Sequence, residues 1–188
     1  MTTHYLDITL LADPEFSHAH LLGVLMAKLH RALVQLGSSD IGVSFPQYRL
    51  RPRSLGSMLR LHGARDVLQD LMALPWLQGM RDHVRLTDLT ETPPGVPHCV
   101  VWRRQFKTSA ERLRRRRMRR KGETAEQAAA AIPDGVERQV DLPFVRLSSA
   151  STGQSFCLFI VQEPAHEVRG EARFNAYGLS HGGTVPWF

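Results

Sequence analysis

The stretch SHAHLLGVLMAKLHRALVQL, residues 17–36, decides the fold. Its apolar side chains recur three and four residues apart, which is the spacing of one face of an α-helix that packs against a core. Gly37 follows directly, and glycine is typical of the position just after a helix end. The stretch therefore predicts a long helix from Ser17 to Leu36, whose buried face consists of Leu22, Leu25, Met26, Leu29, Leu33 and Leu36.

Strands are predicted on both sides of this helix. Residues 3–10 alternate, with Leu6, Ile8 and Leu10 on one side, as in a half-buried strand. The order β-α-β-β-α-β is the ferredoxin-like arrangement, and RNA-recognition domains bind RNA on its open sheet face. The sequence therefore predicts an α+β fold that begins with a ferredoxin-like (RRM-like) domain at residues 1–89. Its other elements are strands at 41–45, 58–62 and 83–86 and a helix at 64–73.

A domain boundary is predicted at residues 90–97, a linker that contains three prolines and one glycine. Beyond it, residues 98–188 form the predicted C-terminal region, which begins with a strand at residues 98–107. Upstream of it, residues 47–56 are polar and basic and are predicted to be a loop without an assigned role. An alanine-rich helix and two further strands are predicted in the C-terminal region at 125–132, 144–147 and 156–161.

The composition indicates a globular protein of a reducing compartment. With 188 residues and 43% hydrophobic side chains, the chain can bury a sizeable core. No apolar stretch approaches the ~20 residues that a membrane span needs, and residues 1–4 do not resemble the start of a signal peptide. Cys99 and Cys157 lack CxxC spacing, so a zinc site is not predicted. We expect a cytoplasmic protein that uses no metal or other cofactor.

Positive charge is concentrated in one run of the chain. Eight of the ten residues from Arg112 to Lys121 are Arg or Lys, and removing these eight charges would change the formal net charge from +6 to −2. Such a local concentration indicates a polyanionic partner. The run is predicted to be helical near residues 109–121, because Thr108 to Glu111 fits a capping box and Gly122 is a natural helix end.

Five arginines of this helix recur three and four residues apart and would form one ridge about 12 Å long, at a rise of ~1.5 Å per residue. The deep, narrow major groove of A-form RNA has phosphates along both walls and suits such a ridge. A solvated charged face or a localisation signal is the alternative interpretation. The ridge consists of Arg112, Arg115, Arg116, Arg119 and Arg120.

Short motifs along the whole chain match one known family. They include the arginine helix and, in order, HYLDI at 4–8, IGVSFP at 41–46, LPFV at 142–145, STGQ at 151–154, YGLS at 177–180 and VPWF at 185–188. With these motifs, the chain resembles the CRISPR RNA-processing endoribonucleases of type I-F systems, the Csy-four or Cas-six-f family.

The resemblance implies a function as well as a fold. Members of this family have a ferredoxin-like N-terminal domain and a C-terminal RNA-binding region. They cleave CRISPR precursor RNA at the 3′ foot of the repeat hairpin without a metal, by attack of a 2′-hydroxyl. The enzyme then keeps the mature guide RNA inside the type I-F interference complex. The implied partners are therefore the repeat hairpin, the guide RNA and the other subunits of that complex.

The resemblance also implies three active-site residues. Residues 28–30 match the helix that carries the general base, which gives that role to His30; without the resemblance, a half-buried histidine at the edge of the apolar stripe is the commoner reading. Ser149 matches the serine that holds the 2′-hydroxyl for attack, whereas its neighbour Ser148 matches no active-site position. Tyr177 matches a tyrosine that orients His30 or the scissile nucleotide. A serine-hydrolase triad is disfavoured, because the one Gly-x-Ser-x-Gly sequence, at residues 178–182, does not lie between a predicted strand and a predicted helix, as a nucleophile elbow does.

Three further residues are implied to recognise bases. Arg103 and Gln105 alternate on the predicted strand, and such side chains can address guanine and adenine edges; they match the family's base-reading residues at the foot of the stem. Arg104, between them, should point to the opposite face. Phe156 matches an aromatic that stacks under the terminal base pair, with a core phenylalanine as the alternative.

Two other functions stay open at this stage. A non-catalytic subunit that holds hairpin RNA would have the same fold, but it would not need both His30 and Ser149. A small, basic, ribosome-associated protein would fit the composition but not the motifs.

Overall fold

The computed structural model describes residues 2–106, 110–133, 140–148, 153–167 and 173–188. The chain is mixed α and β with antiparallel sheets, which confirms the predicted class at that level. It divides into two compact units. The main unit comprises Met1–Arg104 and Leu142–Phe188, and the arginine unit comprises Gln105–Asp141.

The elements of the main unit precede and follow the arginine unit along the chain. The N-terminal ones are β1 (His4–Leu10), α1 (His18–Leu36), β2 (Gly42–Ser44), β3 (Arg49–Leu50), β4 (Arg53–Ser54), β5 (Met58–Gly63), α2 (Arg65–Ala73), a short 3-10 helix (Arg81–His83), β6 (Val84–Leu86), β7 (Thr90–Glu91) and β8 (His98–Arg104). The C-terminal ones are β9 (Phe144–Ser148), β10 (Ser155–Pro164) and β11 (Val185–Pro186).

Two larger sheets form within the described residues. The first has the strand order β2-β5-β1-β6, with β7 also pairing with β1, and its pairs are antiparallel. The second has the order β11-β8-β10-β9 and is also antiparallel. Side chains from both sheets and from α1 belong to one hydrophobic cluster. That shared core fixes the second sheet against α1.

The helix α1 has the caps that its sequence predicts; of the six residues of the predicted buried face, five are buried and Leu36 is half-buried. The Ser17 hydroxyl accepts a hydrogen bond from the His20 N–H at 3.3 Å, which is the usual N-cap contact. Gly37 has φ 65°, and its N–H donates to the carbonyls of Leu33 and Val34. Such a left-handed C-cap costs glycine nothing because it lacks a Cβ.

One glycine of α1 allows the helix to lie directly on β9. A Cβ placed on Gly23 would be 2.7 Å from the main-chain oxygen of Arg146, which is closer than real Cβ contacts. The missing side chain therefore lets the helix approach the strand backbone. This contact determines the distance between α1 and β9. The strand β9 leads into the segment that contains Ser149.

Two short pairings and the end of one strand differ from the sequence predictions. The predicted loop at residues 47–56 contains the hairpin β3–β4, and the predicted linker at residues 90–97 begins with β7. The strand predicted at residues 98–107 ends at Arg104, since Gln105 and Phe106 are not in a strand. Two-residue strands such as β3 and β7 are too short to show an alternating pattern. The composition of residues 98–107 does not indicate where the hydrogen-bonded pairing of β8 ends.

The arginine unit contains α3 (Ala110–Lys121) and α4 (Ala125–Ala131). The turn between them uses Gly122, whose φ is 65° and whose N–H donates to the Met118 carbonyl at 2.9 Å. Thr124 caps α4 and forms a capping box with Gln127. The capping box predicted at Thr108 lies outside the described residues.

In the described part of the chain, none of the helices combines the length and the hydropathy that a membrane span requires.

Candidate functional site

His30 is held at one nitrogen by a turn from the C-terminal part of the chain. Its Nδ1 lies 2.8 Å from the main-chain oxygen of Ala176. A carbonyl oxygen only accepts hydrogen bonds, so Nδ1 must carry the proton and donate it. In the neutral ring, Nε2 is then the basic nitrogen. Within the described residues, no other group is found hydrogen-bonded to this ring. The half-buried side chain is thus prepared to accept a proton at Nε2.

The turn that holds His30 is itself fixed by an asparagine and a glycine. The Asn175 side-chain oxygen accepts from the N–H groups of Tyr177 at 2.8 Å and Leu179 at 3.2 Å. Gly178 has φ 71°, and its carbonyl accepts from the Val43 N–H at 2.9 Å. A Cβ on Gly178 would lie 2.6 Å from a Val43 methyl. Both the positive φ and the close approach to β2 therefore require glycine.

The ring of Tyr177 stacks on the ring of His30. The two centroids are 4.1 Å apart and the planes differ by 7°. With Nδ1 bound to Ala176, this stack leaves the imidazole little freedom to rotate. Tyr177 is half-buried and packs against the core, so it is a rigid support. The geometry brings two of the three predicted active-site residues into direct contact.

Ser149, the third predicted active-site residue, lies outside the described residues. Its neighbour Ser148 is the last residue of β9, pairs with Ser155 of β10 and is exposed. On α1, Gly23 contacts β9, and Ala27 and His30 follow it four and seven residues later. Such spacing places the three residues on the same side of the helix. The strand β9, which leads to Ser149, therefore lies against the same face of α1 that carries His30.

The second sheet separates the predicted base-reading arginine from its neighbour. Arg103 pairs with Ile160 and Arg104 with Phe159, so the two arginines are on opposite faces, as predicted. Both are exposed, and the Arg104 guanidinium lies 5.8 Å from the centroid of the Trp102 ring. Gln105 is exposed and follows the strand rather than lying in it.

Phe156 lies on β10 and pairs with Leu147. It is half-buried and packs against the hydrophobic core. The alternation along β10 places it on the same face as Ile160, the partner of Arg103. A packing role is therefore present, while stacking on RNA stays a prediction.

The helix α3 uses its arginines in two ways. The Arg114 Nε donates to the main-chain oxygen of Ile132 at 2.8 Å, and Arg117 donates to the Glu123 carboxylate at 2.5 Å. This ion pair lowers the pKa of Glu123, mainly through the hydrogen bond from Arg117. Arg114 and Arg117, which are not ridge residues, are thus bonded within the arginine unit. The described ridge residues are exposed: Arg115, Arg116, Arg119 and Arg120.

The backbone of Arg112 belongs to α3, but its side chain is not among the parts of the chain that the structure describes. Its place in the ridge stays a prediction.

Two buried titratable groups lie apart from this chemistry. Burial, with Arg60 and His98 nearby, lowers the pKa of His62 to about 3, and the His62 Nε2 lies 2.8 Å from the Ser44 hydroxyl. Burial raises the pKa of Cys99 to about 12, so its thiol stays protonated. Among the described residues, no group of three or more His, Cys, Asp or Glu side chains converges as metal ligands would.

The sequence indicated Tyr177 as a partner of His30, but it did not indicate the Ala176 carbonyl that binds His30 Nδ1. Ala176 acts through its carbonyl, which every residue has, so no side chain could point to it. Asn175 followed by Gly178 is a turn signal, because asparagine bonds to the backbone two residues on and glycine permits positive φ. That signal indicates a turn, but it does not reveal which helix the turn contacts.

Comparisons with known proteins identify a family for this chain. The family model described as CRISPR-associated protein (Cas_Csy4) matches residues 5–188. A CRISPR-associated endonuclease Cas6/Csy4 of Pseudomonas aeruginosa (strain UCBPP-PA14) is 50% identical and covers 98% of this chain and 99% of its own length. A protein of the same name from Escherichia coli (strain UTI89 / UPEC) is 43% identical, with the same coverage of both chains.

One solved structure, described as an RAMP protein binding different RNA substrates, covers 98% of this chain and 99% of its own. Its TM-score of 0.35 and identity of 10% are too low to identify a shared fold. The family model and the two curated relatives, by contrast, extend over nearly the whole sequence. They confirm the predicted family and the predicted enzyme class, a nuclease, and this chain belongs to the Cas_Csy4 family of CRISPR-associated proteins.

Proposed function

We propose that this chain is a metal-independent endoribonuclease that cleaves CRISPR precursor RNA at the 3′ foot of the repeat hairpin. The observation that carries the proposal is the state of His30: its Nδ1 donates to Ala176, and its ring stacks on Tyr177. Nε2 is then positioned to act as the general base. The family and the names of the relatives support an endonuclease of CRISPR RNA.

The proposed reaction uses the nucleophile that RNA already contains. His30 Nε2 takes the proton of the 2′-hydroxyl, and the 2′-oxygen attacks the adjacent phosphorus. The bond from phosphorus to the 5′-oxygen of the next nucleotide breaks, that oxygen takes up a proton from water as it leaves, and the imidazolium of His30 returns its proton to water. The products are a 2′,3′-cyclic phosphate and a free 5′-hydroxyl. Ser149 holds the 2′-hydroxyl in line with phosphorus, and the Ala176 carbonyl stabilises the imidazolium that forms.

RNA recognition is divided between phosphate and base contacts. The exposed arginines of α3 bind phosphates of the stem and carry no sequence information. Arg103 and Gln105 read base edges at the foot of the stem, and Phe156 stacks under the terminal base pair. Support comes from the exposure of Arg103, Gln105 and the described ridge arginines. Support also comes from the shared sheet face of Arg103 and Phe156.

At the level of the fold, we assign a ferredoxin-like domain to residues 1–89, joined by residues 90–97 to the RNA-binding region at residues 98–188. The strand order β2-β5-β1-β6, with α1 and α2 as the crossovers, supports the ferredoxin-like assignment. In the cell, the protein is cytoplasmic, keeps the guide RNA after cleavage and joins the other subunits of a type I-F interference complex.

The test is cleavage of the host's repeat hairpin in EDTA. The expected products are a 2′,3′-cyclic phosphate end or the 3′-phosphate derived from it. A substrate with 2′-hydrogen upstream of the scissile phosphate should bind but stay intact. A strict magnesium requirement, or cleavage of the 2′-deoxy substrate, would contradict the mechanism. Tight binding without any cleavage would instead favour a non-catalytic hairpin-binding subunit.

A further inference from the structure

A large cleft in the main unit has no role in the chemistry above. It has a volume of about 1060 Å³ and lies between α1 up to Arg31, the hairpin β3–β4 and the strand β9. This volume is at the upper end for a pocket that holds one small molecule, ~300–1000 Å³. The cleft is thus large enough for an extended ligand.

The charge of the cleft has one sign. Four arginines and two histidines are among its described lining residues, and none of those residues is Asp or Glu. Arg31, Arg49 and Arg146 come from three different elements and are all exposed. A concave surface with cations on every wall concentrates the field and attracts an anionic polymer.

The hairpin wall is a built structure. The Gln47 side-chain oxygen accepts from both the N–H of Ser57 at 2.8 Å and its hydroxyl at 3.0 Å, which ties the two ends of the hairpin segment together. Leu55 is buried in the core. Arg49 therefore projects from a fixed wall, and the polar, basic segment 47–56 that lacked a role in the sequence acquires one.

Chain neighbours of two proposed active-site residues line the cleft. Arg31, which lines it, directly follows His30, and Ser148, which also lines it, directly precedes Ser149. From Arg31 the lining follows α1 back to Ser17, about 21 Å at ~1.5 Å per residue. That helix end has no acidic residue in its first turn, so its dipole favours phosphate.

The cleft also offers an aromatic surface. Phe144 lines it, is 42% exposed and lies 5.5 Å, centroid to centroid, from Phe159. An exposed aromatic beside a positively charged groove is the usual arrangement for single-stranded nucleic acid, where bases stack and phosphates pair with cations.

We propose that this cleft binds the single-stranded RNA that continues 3′ of the cleavage site. The inference rests on the proposed function: when the hairpin's 3′ foot is at His30, the downstream strand must leave the active site outside the hairpin. Because Arg31 and Ser148 line the cleft, we infer that it begins beside the active site. At ~3.4 Å per stacked nucleotide, the length of α1 along the cleft admits about six nucleotides. The cleft thus holds the leaving strand during cleavage.

The experiment measures binding of uncleavable hairpins with a 2′-deoxy nucleotide upstream of the scissile phosphate. Three versions carry no flank, six uridines on the 3′ side or six uridines on the 5′ side. The 3′ flank should tighten binding by wild-type protein roughly tenfold at low salt, about the effect of one charge-assisted hydrogen bond. The double variant Arg49→Ala/Arg146→Ala should lose this gain and still cleave the unflanked hairpin at the wild-type rate.

The matched control is Arg65→Ala/Arg81→Ala, which removes two exposed charges of the main unit that do not line the cleft. It should keep the gain from the 3′ flank. The proposal is overturned if the 3′ flank adds no affinity, if the cleft variant keeps the gain, if both double variants lose it equally, or if only the 5′ flank contributes. Failure of the proposed function shows separately, as absent cleavage of the unflanked hairpin by wild-type protein.

Discussion

At the scale of single residues, the proposed chemistry depends on how His30 is held. The Ala176 carbonyl selects the tautomer, and the Tyr177 ring fixes the plane of the imidazole. Neither group needs to touch RNA for its effect. A half-buried, hydrogen-bonded histidine is also what a purely structural role would give, so kinetics must separate the two interpretations.

His30→Ala should lower the cleavage rate by roughly 10²–10⁴-fold, the usual contribution of a general base. Affinity for the hairpin should change little, because the base acts mainly in the transition state. Single-turnover cleavage and equilibrium binding of the same variant check both statements. An equal loss of affinity and rate would indicate that His30 supports the structure rather than the reaction.

Ser149→Ala should also slow cleavage, whereas Ser148→Ala should slow it much less. The reason is structural: Ser148 is an exposed β9 residue paired with Ser155, and the family resemblance gives the active-site role to its neighbour. Single-turnover rates of the two variants on one hairpin provide the comparison. Equal losses from both would contradict the assignment of this segment.

At the scale of elements, α3 divides its arginines between folding and binding. Arg114 and Arg117 bond to Ile132 and Glu123 within the arginine unit. Arg116 and the other described ridge residues are exposed. In the proposed function, α3 contacts RNA phosphates, whereas β8, which carries Arg103, contacts base edges.

Arg116→Ala should weaken binding to all stem sequences alike and flatten the log–log dependence of affinity on salt by about one unit, as expected for one lost phosphate contact. Arg103→Ala should cost ~1–3 kcal/mol on the cognate hairpin and much less on a stem with a changed basal pair. Binding of both variants to both stems over a salt series measures this. Arg117→Ala, with its guanidinium engaged by Glu123, is the control and should change the slope less.

The opposite pattern, with Arg116→Ala altering sequence preference and Arg103→Ala not, would mean that the roles of helix and strand are exchanged.

The elements differ in how well their sequences predict them. The stripe from Leu22 to Leu33 predicts α1 because burial imposes a helical period over about three turns. Strands β3, β7 and β11 have only two residues each, and such pairings depend on which backbone lies alongside. For the site, the family resemblance selected His30 and Tyr177 and left open whether Tyr177 orients His30 or the scissile nucleotide, but the stacking of the two rings could not be predicted. It depends on Gly178, whose turn against β2 is a tertiary feature.

At the scale of the whole molecule, the hydrophobic core joins both sheets and encloses His62. This histidine is fully buried on β5, where Arg60 is close, and His98 approaches from the second sheet. Its Nε2 contacts the Ser44 hydroxyl, while its Nδ1 has no hydrogen-bond partner among the described residues. A proton on this ring would therefore be neither solvated nor paired, and the stability of the folded chain should depend on pH.

The direction follows from the two pKa values. The pKa of His62 is about 3 in the folded chain and about 6.5 when unfolded. Between these values the unfolded chain binds a proton that the folded chain does not, so the free energy of unfolding falls as pH falls below about 6.5. From pH 7.5 to pH 5, this group alone should remove about 2 kcal/mol. Urea unfolding at several pH values should show a shallower pH dependence for His62→Gln than for wild type. His181 is exposed, so the variant His181→Gln should retain the pH dependence of the wild-type free energy of unfolding. An equal change in both variants would mean that the buried His62 ring does not cause this pH dependence.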